Sequence, residues 1–179
     1  MSEAPSTLAG RAEELRRAFD RAFAEEVRGE AVRTEDLLAF RVEAEPYALR
    51  LSEIAGLYAN RMITRLPGGA TASLGLASFR GAIAAVYDLH ALLGRRTAER
   101  PRWLVMMRTA PVALAFETFE GHLRIRRDAI VAQDAGPRSR PLIQEFASID
   151  GLVRPIVHLP AALDAIRNLL PRPNVREEQ

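Results

Sequence analysis

The chain contains neither cysteine nor lysine. Without cysteine there is no disulfide scaffold, no thiolate nucleophile and no cysteine-ligated metal. Without lysine there is no Schiff-base chemistry, no phosphate-loop lysine and no lysine general base. All 25 basic residues are therefore arginine, set against 23 acidic ones, and the net charge is only +2. The pI near 9.6 overstates the basicity at neutral pH, because arginine stays charged far above pH 7. So small a net charge does not by itself argue for nucleic acid. Aromatic residues make up 6%, thin for a surface that stacks bases. No apolar run approaches the roughly 18 residues of a membrane helix, and Met1–Thr7 is polar, unlike a secretory leader.

What remains is 48% hydrophobic and 27% charged over 179 residues, a globular profile sufficient for one domain or two small ones. From Leu8 to Val27 the residues Leu8, Ala12, Leu15, Phe19, Ala22, Phe23 and Val27 recur at steps of three or four. That spacing predicts an amphipathic helix over 8–28, in an N-terminal extension covering 1–36.

After Leu37 the period becomes two. Leu38, Phe40 and Val42 alternate, Glu43-Ala44-Glu45-Pro46 turns the chain, and Tyr47, Leu49 and Leu51 alternate again. This predicts a hairpin, followed by a single helical turn capped by Ser52 and carrying Glu53, Ile54 and Leu57. Further short strands are predicted at Ile63–Leu66, Leu76–Tyr87 (broken at Gly81), Trp103–Arg108, Val112–Phe116, Gly121–Ile125 and Val153–His158. Asp88 is placed to cap a short helix, Leu89–Leu93. Pro160 suits the start of a closing helix with a stripe of Leu159, Leu163, Ile166 and Leu170. Residues 171–179 read as a flexible tail. Many short strands separated by Gly/Pro turns predict an all-β fold of small barrels.

Several ordered motifs over 37–170 resemble the CheW family of chemotaxis coupling proteins. Leu38-Ala39-Phe40-Arg41-Val42, Tyr47-Ala48-Leu49 and Leu51-Ser52-Glu53-Ile54 resemble the family's opening. Ile63-Thr64-Arg65-Leu66-Pro67 is similar to its next strand end. Leu74-Gly75-Leu76-Ala77-Ser78-Phe79-Arg80-Gly81-Ala82-Ile83 with Val86-Tyr87-Asp88-Leu89 resembles its signature segment. Val112 to Gly121 and Gly151 to Leu159 resemble its later strands. Departures also stand out: Ser78-Phe79 replaces the usual Asn-Leu, Ala84-Ala85 replaces a proline-containing pair, and Glu117 stands where aspartate is usual.

The resemblance implies two five-stranded SH3-like barrels packed side by side, the first over about 37–100 and the second over about 101–160, with a closing helix at 160–170. It implies a non-enzymatic, cytoplasmic scaffold at receptor arrays near the inner membrane, without cofactor, metal or membrane insertion. Its partners would be the tip of a methyl-accepting chemoreceptor and the regulatory domain of a CheA-type histidine kinase. The receptor-binding residues it implies are Leu51, Glu53, Ile54, Gly75, Leu76, Phe79 and Arg80, with Gly81 and Asp88 as structural signature positions. Arg80 would pair with Glu53, and Leu51, Ile54, Leu76 and Phe79 would line a groove for an amphipathic helix. Phe79, in place of a smaller leucine, would adjust which receptor is accepted.

Other readings have less behind them. The Ala84-Ala85 change and the N-terminal helix motivate a specialised member that has lost kinase binding. Arg124, Arg126, Arg127, Arg138 and Arg140 form a basic cluster that a nucleic-acid module would use, but without interleaved aromatics a solvated surface is the better reading. The histidines His90, His122 and His158 lack metal-ligand spacing, no serine sits in a nucleophile elbow, and Pro67-Gly68-Gly69-Ala70 lacks a phosphate loop's Gly-Lys-Ser/Thr. No catalytic constellation is visible. The N-terminal helix could cover a barrel edge or groove, or project to meet a partner helix.

Overall fold

The computed structural model describes residues 33–67, 72–133, 140–149 and 151–169. The predicted helix over 8–28, the loop at 68–71, Arg138 and the tail beyond 169 lie outside the described residues. Among the described residues eleven strands follow one another: β1 (Thr34–Val42), β2 (Glu45–Arg50), β3 (Ile54–Ala59), β4 (Ser73–Phe79), β5 (Ala82–Asp88), β6 (Trp103–Met107), β7 (Val112–Phe116), β8 (Thr118–Arg126), β9 (Ile130–Ala132), β10 (Ile143–Ile149) and β11 (Leu152–Val157). Helix α1 (Leu89–Leu92) follows β5, and α2 (Leu159–Leu169) follows β11.

The strands form a six-stranded sheet, β8-β1-β2-β11-β10-β9, and a five-stranded sheet, β3-β6-β7-β5-β4. Both repeat one plan: a run of antiparallel strands, a parallel junction, then a second antiparallel run. In the first sheet β2 meets β11 in parallel, and in the second β7 meets β5. Each parallel partner runs on into a helix, β11 into α2 and β5 into α1. The fold is thus all-β with two SH3-like barrels, and the chain visits them in the order first, second, first. The chain begins in the first barrel with β1 and β2, crosses at 51–53, builds the second barrel from β3–β7, and returns with β8–β11. Among the described residues the count is six and five strands rather than five and five: β3, β9 and β10 were not anticipated as strands, and the expected strand Ile63–Leu66 is reduced to a single bridge between Thr64 and Leu76.

The alternation of side chains explains why the two barrels pack. Along β7, Val112, Leu114 and Phe116 enter the core shared between the sheets, while Ala113 and Ala115 point into the second barrel. Along β6, Val105 and Met107 go one way and Leu104 and Met106 the other. Along β2, Tyr47 and Leu49 join the shared core while Ala48 enters the first barrel with Leu37, Ala147 and Ile156. Strands buried on both faces read as continuous apolar runs, and β7 is buried at all five positions. The shared core is the widest of the three and includes Phe40 stacked on Tyr47 with ring centroids 5.7 Å apart.

Local chemistry sets the ends of several elements. The buried Asp88 carboxylate accepts the His90 N–H at 2.8 Å and the Ala98 N–H at 2.8 Å. It therefore caps α1, as the sequence suggests, and also ties down the connection to β6. The predicted strand Leu76–Tyr87 is two strands: Arg80 (φ 50°) and Gly81 (φ 89°) form the two-residue turn between Phe79 and its partner Ala82. Positive φ at both central positions is the type I′ hairpin geometry. The expected helical turn after Ser52 is the 3-10 turn Leu51–Glu53, and Ile54 and Leu57 are in strand β3. The buried face of α2 is Leu159, Ala162 and Ile166, a stripe rotated slightly from the one expected.

Candidate functional site, an apolar groove between the barrels

An open groove of about 300 Å³ lies where the first barrel meets the second. It is lined by Leu38 from β1, Leu51 from the crossover, Ile54, Ala55, Gly56 and Leu57 from β3, and Phe119, Gly121 and His122 from β8. Four consecutive residues of β3 border the groove, but Gly56, opposite Met106, faces away from it, where an added Cβ would meet the Tyr58 ring at 3.0 Å. Ile54 and Leu57, opposite Met107 and Val105, share one face although they stand three apart, which regular two-residue alternation does not allow. A β-bulge supplies the exception: Ile54 pairs with Met107 but Gly56 pairs with Met106, leaving Ala55 as the extra residue. His122 is the one lining residue with a titratable side chain. Its Nε2 lies 2.7 Å from Asp36 Oδ1, and Arg124 donates to both oxygens of Asp36 at 2.8 and 3.2 Å. The Arg124 hydrogen bond, with help from His122, holds the Asp36 carboxyl below its ordinary range.

The structure divides the expected receptor-binding residues. Leu51 and Ile54 line the groove together. Phe79 does not: it is 3% exposed, inside the second barrel, edge-on to Tyr58 with ring centroids 4.9 Å apart. Its parity is that of Ala77, and odd positions of β4 face inward. Leu76 and Gly75 lie on the same strand, away from the groove lining. Gly75 is held by a close backbone approach, since a Cβ there would sit 2.0 Å from the Thr64 carbonyl oxygen.

The expected Arg80–Glu53 pair does not form. Arg80 is exposed in its hairpin turn. The Glu53 carboxylate accepts the backbone N–H of Leu159 at 3.2 Å, at the start of α2. The basic cluster is likewise partly neutralised. Arg124 engages Asp36, Arg126 engages Asp128, and Arg140 donates to Tyr47 Oη at 3.2 Å with Glu45 at 3.6 Å.

The histidines are dispersed: His90 is buried in α1, His122 rims the groove, and His158 Nδ1 accepts the Ala161 N–H at 3.3 Å in the first turn of α2. Among the described residues no three His, Cys, Asp or Glu side chains gather as a metal site would require. Among the same residues no helix is long and apolar enough to cross a membrane. Leu38, Leu57, Phe119 and His122 were not singled out from the sequence as groove residues. Phe119 and His122 reach the groove through the pairing of β8 with β1, a contact between residues some eighty positions apart that no local pattern signals.

Comparison with known proteins agrees with this architecture. No curated protein matched the sequence. The crystal structure of the scaffolding protein TtCheW from Thermoanaerobacter tengcongensis superposes with a TM-score of 0.64 at 16% identity, covering 70% of this chain and 90% of that one. At that identity the likeness concerns the fold. The model of the CheW-like domain matches residues 36–167, nearly the whole of both barrels, and the chain belongs to the CheW-like domain family.

Proposed function

We propose that the chain is an adaptor that couples methyl-accepting chemotaxis receptors to a CheA-type histidine kinase, as a scaffold rather than an enzyme. The observation that carries the receptor half of this reading is the groove at the junction of the barrels. Its aliphatic lining of Leu38, Leu51, Ile54 and Leu57, with Phe119, suits the apolar stripe of an amphipathic helix. The Asp36–His122–Arg124 cluster gives one side of it a polar rim, the arrangement in which apolar contacts supply affinity and polar ones supply register. Family membership supports the kinase half. Holding both partners at once raises their effective concentration, and the shared core makes one barrel's displacement felt by the other.

Within this reading Leu51 and Ile54 are receptor contacts, and Arg80 offers an exposed cation outside the groove. Glu53 and Gly75 act through the backbone they hold, and Leu76 and Phe79 act through the second barrel's integrity. The test is a calorimetric titration of the chain with a soluble fragment of a receptor's cytoplasmic hairpin tip, with Ala55→Glu as the groove-blocking variant. Saturable binding lost in that variant supports the reading. Equal binding by both proteins removes the groove from it.

A further inference from the structure

The exposed Arg108 stands in the β6–β7 connection, outside the groove lining, yet its polar contacts converge on the segment that forms the groove. Its backbone N–H donates to the Glu53 carbonyl at 3.0 Å. Its Nε donates to the Ser52 carbonyl at 2.9 Å and its Nη2 to the Ile54 carbonyl at 3.0 Å. Three successive carbonyls, on the crossover between the barrels and at the start of the bulge, are thus held by one residue. The Glu53 carboxylate in turn accepts the N–H of Leu159.

We propose that Arg108 is a positioning residue for the groove: it fixes the bulge at Ala55 that puts Ile54 and Leu57 on one side of β3, toward the docked partner. A bulge interrupts the ladder, so its carbonyls need partners from elsewhere. The fork of a guanidinium can serve two of them at once with fixed geometry, whereas a lysine ammonium carries its three donors on one nitrogen at the end of a flexible stem. Without the fork, the crossover keeps its apolar anchor, Ile54, which is 6% exposed, but loses what sets the direction of Ala55 and Leu57. The consequence for receptor binding rests on the groove reading above; the positioning itself does not.

The test therefore has two readouts on the wild type, Arg108→Ala and Arg108→Lys. The first is the methyl NMR spectrum of the free proteins. Positioning predicts that resonances of Leu51, Ile54, Ala55 and Leu57 shift or broaden in both variants, while Leu104 and Ala113 inside the second barrel stay in place. Unchanged groove methyls overturn the proposal. So do changes spread equally through all three cores, which would mark a general structural role. The second readout is affinity for the soluble receptor hairpin fragment. Positioning predicts a loss of tenfold or more in both variants. An Arg108→Lys protein that binds like the wild type would show that charge alone matters, and would also overturn the proposal. Failure of the wild type to bind the hairpin would sink the receptor reading and leave the methyl spectra to decide the positioning.

Discussion

Gly75 and Thr64 meet backbone to backbone: a Cβ on Gly75 would lie 2.0 Å from the Thr64 carbonyl oxygen. The contact sits beside two hydrogen bonds, Thr64 N–H to Leu76 O at 2.8 Å and Leu76 N–H to Thr64 O at 2.9 Å. That bridge joins the connection after β3 to the edge strand β4 and helps close the second barrel.

Gly75→Ala should accordingly cost about 3 kcal/mol or more, because both the clash and the φ of 128° act against it. Gly81→Ala should cost about 1 kcal/mol, since φ there is 89° but nothing lies within 4 Å of the added carbon. Urea denaturation of the two variants measures the difference. Equal costs would mean that the close approach contributes nothing.

Phe79→Leu should lower stability by about 1–2 kcal/mol through the cavity left against Tyr58. It should leave the receptor hairpin's affinity for the folded protein unchanged. Ala55→Glu should do the reverse, with stability within about 0.5 kcal/mol of the parent and affinity down at least tenfold. Denaturation and titration of both variants separate core from groove, and a Phe79 variant with altered receptor choice would contradict the assignment.

The Glu120 carboxylate joins Arg41 at 2.5 Å and Arg154 at 2.6 Å, and so links β8 to β1 and β11. Glu120→Ala should cost roughly 2–3 kcal/mol, because it leaves Arg154, 9% exposed, without its acceptor. Replacing Arg154 and Glu120 together with Met and Leu should cost less than the single change, and a double-variant cycle measures it.

Acid should destabilise the fold in a specific window. Burial pushes the Glu120 carboxyl up, but the Arg154 and Arg41 hydrogen bonds outweigh it and hold it below its ordinary 4.5. The Arg124 hydrogen bond lowers Asp36 from 3.8, and the Tyr47 hydroxyl, with Arg95, lowers Glu45 from 4.5. A depressed native pKa means that the unfolded chain binds more protons, so this stability is complete above the unfolded values and is lost as pH falls through the native ones. Urea midpoints should be level above about pH 5 and fall steadily below about pH 4.5. Glu120→Gln should flatten part of that decline; an unchanged acid limb would contradict its share.

The parts of the fold that local patterns carry were legible. The hairpin Leu38–Leu49, the Asp88 cap, and the β6 and β7 runs follow from alternation, capping chemistry and continuous burial. β10 was not, because a register shift between Ile143 and Glu145 breaks the alternation of Ile-Gln-Glu-Phe-Ala-Ser-Ile. Arg80 read as a strand residue because its neighbours are apolar, whereas a non-glycine residue with positive φ in a tight turn leaves little trace in sequence. Part of the candidate site was in view: Leu51 opens the crossover and Ile54 follows it at the start of β3. Leu38 comes from β1, Phe119, Gly121 and His122 from β8, and Arg108 from a distant hairpin. Those contacts are set by sheet order, which puts β8 beside β1 and β6 beside β3.

On the proposed function one chain holds a receptor and a kinase at once. Sedimentation of the chain with a soluble receptor hairpin fragment and a CheA-type regulatory domain measures this directly, with Ala55→Glu in parallel. The account predicts a ternary species with the wild type, and retention of the kinase domain alone by the variant. Binding of the two partners only in competition, or of neither, would contradict it.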